Sequence, residues 1–177
     1  MKKSIIASVI AMGMASSSAY AADTQTGNIQ FSGAVTAETC NIVPEIEGGT
    51  VKNTVELGTV APSGTGDYKN FAFKAANPAD PACVALGVDT KTATVSFSSG
   101  ALNGNGLGIT RGTASDAYVM IESTNAKSNV NITQNKKVAD FTADKLIADG
   151  LKFKAALKGG AESGNFDSAI TFSMAYK

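Results

Sequence analysis

The sequence predicts an all-β domain that is built as a sandwich or a barrel. Three observations support this fold class: short segments in which apolar and polar residues alternate, turn residues between those segments, and a composition with 18 glycines and only 17% charged residues. Alternation with a period of two places every second side chain on one face of a strand. Many short strands of this kind, separated by turn signals, are typical of sandwiches and barrels.

The chain begins with a segment typical of a secretory signal peptide. Lys2 and Lys3 supply positive charge, residues 5–14 are mostly apolar, and Ala19 and Ala21 provide the small residues of a cleavage site. The apolar stretch is shorter than the roughly 20 residues that a membrane-spanning helix needs, although an uncleaved anchor is the alternative. We therefore expect residues 1–21 to be removed on export, which leaves one domain within residues 22–177.

Candidate strands follow one another along the rest of the chain. The first, residues 28–36, has Ile29, Phe31 and Val35 on one face, with Gly33 in the same row. Further strands are expected at residues 39–43, 50–60, 68–74, 92–98, 118–123, 129–134 and 151–158, with a turn at residues 44–49. Residues 139–149 have some helical spacing but are short, so a loop or a single turn is expected there.

The final fourteen residues, which begin at Gly164, carry the most regular pattern. Ile170, Phe172, Met174 and Tyr176 alternate with other residues up to the end of the chain. A strand in this place has no later strand with which to pair. Its free edge and apolar face are therefore expected to take a partner from another molecule.

The two cysteines, Cys40 and Cys83, predict a disulfide. An even pair in an exported protein is typical of a structural bridge. The alternatives are weaker, since a metal site would need further ligands and a reactive thiol would need a basic neighbour.

Charge and residue types exclude several functions. Without Lys2 and Lys3, 13 of the 15 basic residues remain against 15 Asp and Glu, whereas binding of nucleic acid calls for a basic patch. The absence of histidine excludes Ser-His-Asp and Cys-His catalysis and imidazole metal sites. Glu45 and Glu47 could form a carboxylate pair, but they flank turn residues and fit solvated loop charges better. We expect no enzyme, no cofactor and no metal site.

Taken together, these patterns resemble the subunits of chaperone–usher pili, in particular the major subunits of type 1-like fimbriae. The C-terminal residues Gly164, Ile170, Phe172, Met174 and Tyr176 are similar to the pilin β-zipper, which has a glycine fourteenth from the end and a penultimate tyrosine. The row of Ile29, Phe31, Gly33 and Val35 resembles the pilin donor strand. Cys40 and Cys83 stand where the family has its two cysteines. The resemblance covers the chain from the cleavage site to the C-terminus.

The resemblance implies an incomplete immunoglobulin-like sandwich that has six strands of its own. Residues 22–37 would be an N-terminal donor-strand extension and residues 38–177 the pilin domain. The missing strand would leave a groove beside the C-terminal strand, and addition of a strand to an exposed edge is a general mode of recognition. In the periplasm a chaperone would fill this groove, with its basic residues binding the carboxylate of Lys177. In the fibre, the extension of the next identical subunit would replace the chaperone at an outer-membrane usher.

The implied function is that of a structural subunit of an adhesive fimbria, exported through the periplasm and assembled on the cell surface. A tip adhesin would need about twice this length, so a shaft subunit is favoured and a minor adaptor subunit is an alternative. A second alternative is a shaft subunit that binds a host receptor or glycan through the loop at residues 98–112. A third, a β-sandwich enzyme, is disfavoured by the absence of histidine and of clustered acids, bases or metal ligands.

Overall fold

Antiparallel strands account for most of the ordered secondary structure. The computed structural model describes residues 40–46, 49–51, 53–88 and 91–177. Its strands are β1 (Ile42–Ile46), β2 (Thr50–Val51), β3 (Lys69–Ala75), β4 (Thr92–Ser98), β5 (Leu107–Gly108), β6 (Arg111–Gly112), β7 (Tyr118–Ser123), β8 (Val138–Thr142), β9 (Leu151–Lys158), β10 (Phe166–Asp167) and β11 (Thr171–Tyr176). A helix, α1, covers Pro81–Val88, and a 3₁₀ helix covers Ala143–Leu146.

The strands form two main sheets. One has the order β2-β1-β3-β9-β7-β5, and the other has the order β11-β4-β8. Strands β6 and β10 make a separate two-stranded sheet. The fold is therefore all-β and has the layered sheets of an immunoglobulin-like sandwich, as the sequence predicted. A helix long and apolar enough to cross a membrane is absent from the described residues.

The core lies between the two main sheets and is organised around Phe153. This side chain is fully buried on β9. Its ring lies 5.4 Å from that of Phe71 and 5.7 Å from that of Phe73, both on β3 of the same sheet. It also lies 5.4 Å from the ring of Phe97 and 5.3 Å from that of Phe141, which belong to the opposite sheet. The buried side chain of Phe153 on β9 thus packs against both sheets.

Several strands agree with their predicted bounds. The segments 92–98, 118–123 and 151–158 form strands at those positions, and 68–74 is shifted by one residue. On β4, Ala93, Val95 and Phe97 form the buried face, yet Thr94 on the opposite face is also only 7% exposed. Its hydroxyl donates a hydrogen bond to Oδ1 of Asp140 at 2.6 Å, and this neighbour on β8 covers it.

Three expected elements differ from the structure. The expected strand at 50–60 is limited to Thr50–Val51, and Gly58 has a φ of +75°, which is incompatible with a strand. The expected turn at 44–49 is instead partly strand, because β1 continues through Pro44 to Ile46 and pairs with β3. Residues 129–134 contribute only isolated bridges rather than a strand.

Residues 139–149 do not form the expected loop alone, because most of strand β8 lies within them. Seven of the strands have at least five residues, and β8 is one of them. Ala139 and Phe141 alternate with exposed residues, and β8 pairs with β4 from Thr92↔Thr142 to Ser96↔Val138. The 3₁₀ helix follows directly. The partial helical spacing of residues 139–149 therefore gave no indication of β8. This short strand pairs with β4, which lies more than forty residues earlier in the chain.

Helix α1 is an element that the sequence analysis did not predict. Pro81 occupies its first position, where a missing N–H is tolerated. Asp80 caps the helix, because its side-chain oxygen accepts a hydrogen bond from the backbone N–H of Ala82 at 2.9 Å. The Asp-Pro pair is the local signal for a helix start in a segment where no strand is expected.

The disulfide between Cys40 and Cys83 is present and joins the residues before β1 to helix α1. Both cysteines are buried, and both belong to the main hydrophobic core. The predicted signal peptide, the predicted donor-strand extension and Glu47 lie outside the described residues.

Candidate functional site: a groove beside the C-terminal strand

Strand β11 is bonded along one edge. It pairs with β4 at six positions, from Thr171↔Ser98 to Tyr176↔Ala93. The backbone of Lys177 extends this pairing, since its N–H donates to the carbonyl of Thr92 at 2.9 Å and its oxygen accepts from the N–H of Thr92 at 2.7 Å. Within the described parts of the chain, no strand pairs with the other edge of β11. That edge offers backbone donors and acceptors to a further strand.

A groove with a volume of about 950 Å³ lies beside the start of β11. Its floor is apolar and consists of side chains from four strands of the two sheets: Phe71, Phe73, Phe97, Val119, Ile121, Ala155 and Leu157. Ile170 and Phe172 line one side. Pro44 and Ile46 of β1, together with residues 53–58, line the other. The groove therefore opens the core between an edge strand and an irregular segment.

Phe172 is the most exposed large apolar residue of the groove. It is 38% exposed, and its ring lies 4.2 Å from that of Phe73, tilted by 36°. This contact joins β11 of one sheet to β3 of the other. An apolar side chain seated beside Phe172 would remove the remaining surface from water, and full burial of such a side chain contributes about 1.5–3 kcal/mol.

The second side of the groove also carries unpaired backbone. None of the backbone hydrogen bonds between described residues involves residues 53–60. Val55 and Leu57 are half-buried, whereas Thr54 and Glu56 are exposed. The segment thus has the alternation of a strand without a bonded neighbour. Both sides of the groove could accept a strand between them.

The predicted C-terminal residues divide into three groups. Ile170 and Phe172 line the groove, whereas Met174 and Tyr176 are half-buried against the core beyond it. The hydroxyl of Tyr176 donates a hydrogen bond to Sδ of Met174 at 3.2 Å, and burial raises the pKa of this phenol above its ordinary value. Lys177 contributes through its backbone, as described above. The residues of the expected donor row, Ile29, Phe31, Gly33 and Val35, lie outside the described residues.

Gly164 lies away from the groove and has a steric role. A Cβ atom at this position would overlap Thr113 and would lie 2.7 Å from the backbone nitrogen of Ala114. Nearby, the carbonyl of Asn165 accepts hydrogen bonds from the N–H groups of Thr113 and Ala114 at 3.0 and 3.2 Å. The absence of a side chain therefore lets the segment before β10 approach residues 113–114.

We expect Gly164→Val to destabilise the subunit, because overpacking of a close contact costs about 1–3 kcal/mol. Urea unfolding followed by circular dichroism would measure the loss. Gly100→Val is the matched control, because a Cβ at Gly100 would meet nothing within 4 Å. Equal unfolding midpoints for the two variants would contradict the steric role of Gly164.

The loop at residues 98–112 is tied to the C-terminal segment. Ser99 Oγ donates to the carbonyl of Ala169 at 2.9 Å, and Ser168 Oγ donates to the carbonyl of Gly108 at 2.5 Å. Arg111 forms an ion pair with Asp167 at 3.3 Å. These bonds fix the chain that leads into β11 at one end of the groove. The loop at residues 98–112 therefore anchors the segment before β11.

Sequence reasoning did not identify the floor of the groove or its second side. The alternation of Leu151, Phe153, Ala155 and Leu157 indicated a buried face, but nothing local showed that Ala155 and Leu157 line a groove. Val55 and Leu57 were assigned to an ordinary strand. Their alternation was the available signal, and the lack of a partner for that strand was not visible in the sequence.

The groove offers backbone donors and acceptors along β11 and apolar side chains on its floor. Among the described residues, no group of three or more Asp, Glu or Cys side chains could hold a metal ion. Both cysteines are in the disulfide, and the chain contains no histidine. Lys154, on the outer face of the large sheet, is paired with Glu122 at 2.9 Å, and the bond to that carboxylate raises the pKa of the ammonium group.

Comparison with known proteins gives three relatives that match over nearly their whole length. The F107 fimbrial protein of Escherichia coli is 39% identical over 178 residues and covers 100% of both chains. The K99 fimbrial protein of Escherichia coli is 32% identical and covers 99% of each chain. The Fimbria A protein of Serratia marcescens is 31% identical and covers 100% of this chain and 99% of its own.

Among solved structures, the P pilus rod subunit PapA aligns with a TM-score of 0.47 at 14% identity, over 85% of this chain and 100% of its own. No family profile matches the chain.

Proposed function

Because this chain belongs to the family of chaperone–usher fimbrial subunits, we propose that it builds its fibre by donor-strand exchange. As a member of that family it is a structural, non-enzymatic pilus subunit that assembles with other subunits. In the proposed joint, residues 22–37 of one copy enter the groove of the next copy and complete its sandwich. The observation that carries the proposal is an apolar groove between the edge of β11 and residues 53–60, both of which lack a bonded neighbour among the described residues.

The extension has the side chains that this groove requires. Ile29, Phe31 and Val35 alternate with Gln30, Ser32 and Ala34, so a strand over these residues presents one apolar row. Each large apolar side chain that is fully buried would contribute about 1.5–3 kcal/mol. Each backbone hydrogen bond to β11 would add about 0.5–1.5 kcal/mol.

Gly33 fits a narrow part of the groove. A glycine within an otherwise apolar row suits a position where the opposing surface leaves little room. The contact between Phe73 and Phe172 closes the groove from both sheets, and it supports a place for Gly33 there.

The geometry of the joint leads to a filament. One end of the chain supplies the strand and a different surface of the next copy accepts it, which makes the contact heterologous. A heterologous contact whose rotation does not close generates an open fibre. A shaft subunit that is repeated along a surface fimbria fits this geometry.

Before assembly, a periplasmic chaperone is proposed to occupy the groove, and an outer-membrane usher to catalyse the exchange. The terminal carboxylate of Lys177 lies beside Thr92 at the end of β11, where basic residues of the chaperone could bind it. This route accounts for the predicted signal peptide at residues 1–21 and for the disulfide at Cys40 and Cys83.

Deletion of residues 22–36 tests the proposal. The truncated subunit should still bind the chaperone, because its groove is intact, but it should add no donor strand to another subunit. Co-purification with the chaperone and electron microscopy of fibres would measure the two properties. A truncated subunit that folds as a stable monomer without a chaperone would show that the sandwich is complete by itself.

A pair of point variants tests which face of the donor strand enters the groove. Gly33→Phe should abolish fibres while chaperone binding remains, because the added ring falls on the row that enters the groove. Ser32→Phe introduces the same ring on the opposite face of the strand, where we expect fibres to form. Normal fibres from Gly33→Phe, or equal loss in both variants, would contradict the proposed placement of the row.

A further inference from the structure

We propose that Asn103 is a site of spontaneous deamidation, with the backbone nitrogen of Gly104 as the nucleophile. The run Asn103-Gly104-Asn105-Gly106 contains two asparagine–glycine pairs in the loop between β4 and β5. Both asparagines are exposed to solvent. A glycine in the following position leaves its nitrogen without the shielding of a side chain.

The structure activates the carboxamide of Asn103. Its Oδ1 accepts two backbone hydrogen bonds, from the N–H of Asn105 at 2.8 Å and from the N–H of Gly106 at 3.1 Å. Two donors on one carbonyl oxygen withdraw electron density from Cγ. They also stabilise the negative charge that develops on this oxygen during attack, as an oxyanion hole does.

The nucleophile is accessible. The backbone N–H of Gly104 makes no hydrogen bond to another described residue, and a Cβ at Gly104 would meet nothing within 4 Å. An unbonded nitrogen in open space can lose its proton to a solvent base and adjust its position towards Cγ.

The reaction needs only water as a co-reactant. The deprotonated nitrogen of Gly104 forms a bond to Cγ of Asn103, the bond from Cγ to Nδ2 breaks, and ammonia leaves with the proton that solvent returns. The product is a five-membered cyclic imide. Water then adds to one of its two carbonyl groups and opens the ring, which gives aspartate or isoaspartate at position 103.

Asn105 provides a control within the same loop. The nucleophile there would be the nitrogen of Gly106, whose hydrogen is already donated to Oδ1 of Asn103. Gly106 is buried, has a φ of +154° and has no room for a Cβ against the carbonyl of Val119. This nitrogen cannot turn towards the side chain of Asn105 without loss of the loop conformation, so Asn105 should resist deamidation.

The aspartate product should be compatible with the fold. An aspartate at position 103 would keep both N–H donors, and hydrogen bonds to a carboxylate are shorter and stronger than those to an amide. Asn103 does not line the groove, so the new charge would lie on the surface away from the proposed joint. Each subunit would gain one negative charge as the protein ages.

Incubation of the purified full chain at mildly alkaline pH, followed by peptide mass mapping, tests the proposal. Cleavage after Lys91 and Arg111 gives one peptide with both asparagines, and its fragmentation locates the change. We expect Asn103 to react faster than Asn105 by roughly tenfold or more, which corresponds to about 1.4 kcal/mol or more in activation free energy. Absence of reaction at Asn103, or equal rates at Asn103 and Asn105, would overturn the proposal.

Two further measurements separate the structural cause from the sequence. Gly104→Ala should slow the reaction at Asn103, whereas Gly100→Ala, at another glycine with open surroundings, should leave it unchanged. In concentrated urea the two asparagines should react at similar rates, because each precedes a glycine. A preference for Asn103 that persists in urea, or a Gly104→Ala variant that reacts at the original rate, would contradict the proposed mechanism.

Discussion

Replacement of Cys40 and Cys83 by alanine is expected to lower the free energy of unfolding by about 4 kcal/mol. The bridge closes a loop with a sequence separation of 43 residues, and a loop of this length gives about 4 kcal/mol in the chain-entropy account of disulfides. This is a large share of the roughly 5–15 kcal/mol by which native proteins are stable. The effect should be seen in urea unfolding of the full chain, measured beside the wild type.

Replacement of both cysteines by serine is the comparison for this prediction. Cys40 is 5% exposed and Cys83 is 1% exposed, so Cys40→Ser with Cys83→Ser places two hydroxyl groups in the core. A hydroxyl that is buried without a partner adds its own cost of about 1–3 kcal/mol in proteins. The serine pair should therefore unfold at lower urea than the alanine pair. A loss below about 1 kcal/mol in the alanine pair would show that the bridge contributes little to stability.

Phe153→Ala is expected to destabilise the subunit by about 3–5 kcal/mol, the usual cost of removing a buried aromatic ring. The ring is fully buried, and it is in contact with Phe71 and Phe73 on one sheet and with Phe97 and Phe141 on the other. Its loss would leave a cavity at the point where the sheets meet. The unfolding midpoint in urea, with the slope checked for two-state behaviour, would measure this.

Phe172→Ala provides the contrast with Phe153→Ala. Phe172 is 38% exposed, so its removal should cost the isolated subunit less than removal of Phe153. In assembled fibres the difference between the two variants should become smaller, because the proposed donor strand would bury the remaining surface of Phe172. Resistance of fibres to dissociation by guanidinium would show the difference. A Phe172→Ala fibre as resistant as the wild type would argue against Phe172 as part of the joint.

Core and groove are parts of one apolar interior. Phe73 contacts the ring of Phe153 at 5.7 Å and that of Phe172 at 4.2 Å, so a single residue connects the centre of the sandwich to its open side. Insertion of a strand at the groove would therefore extend the packing that begins at Phe153. This continuity explains how completion of the sandwich could stabilise the whole subunit.

Several features could be predicted because their signals are local. The strands at 92–98, 118–123 and 151–158 have sufficient alternation to set their bounds, and β-branched or aromatic residues favour the pleated conformation. The row from Ile170 to Tyr176 showed a strand with one apolar face. An even number of cysteines after a predicted signal peptide indicated the disulfide. In each case neighbouring residues carry the information.

The all-β class, the alternation of β11, the pair of cysteines and the resemblance to pilins thus follow from local residue patterns. Four features depend on long-range packing: which edge of β11 is bonded, that residues 53–60 leave the sheet, that β8 joins β4, and that side chains of four strands form the floor of the groove. Alternation along a strand indicates which of its faces is buried, whereas the partner of a strand edge is set by another segment of the chain. The neighbour of Thr171 is Ser98, far away in the chain, and nothing local to either residue encodes that pair.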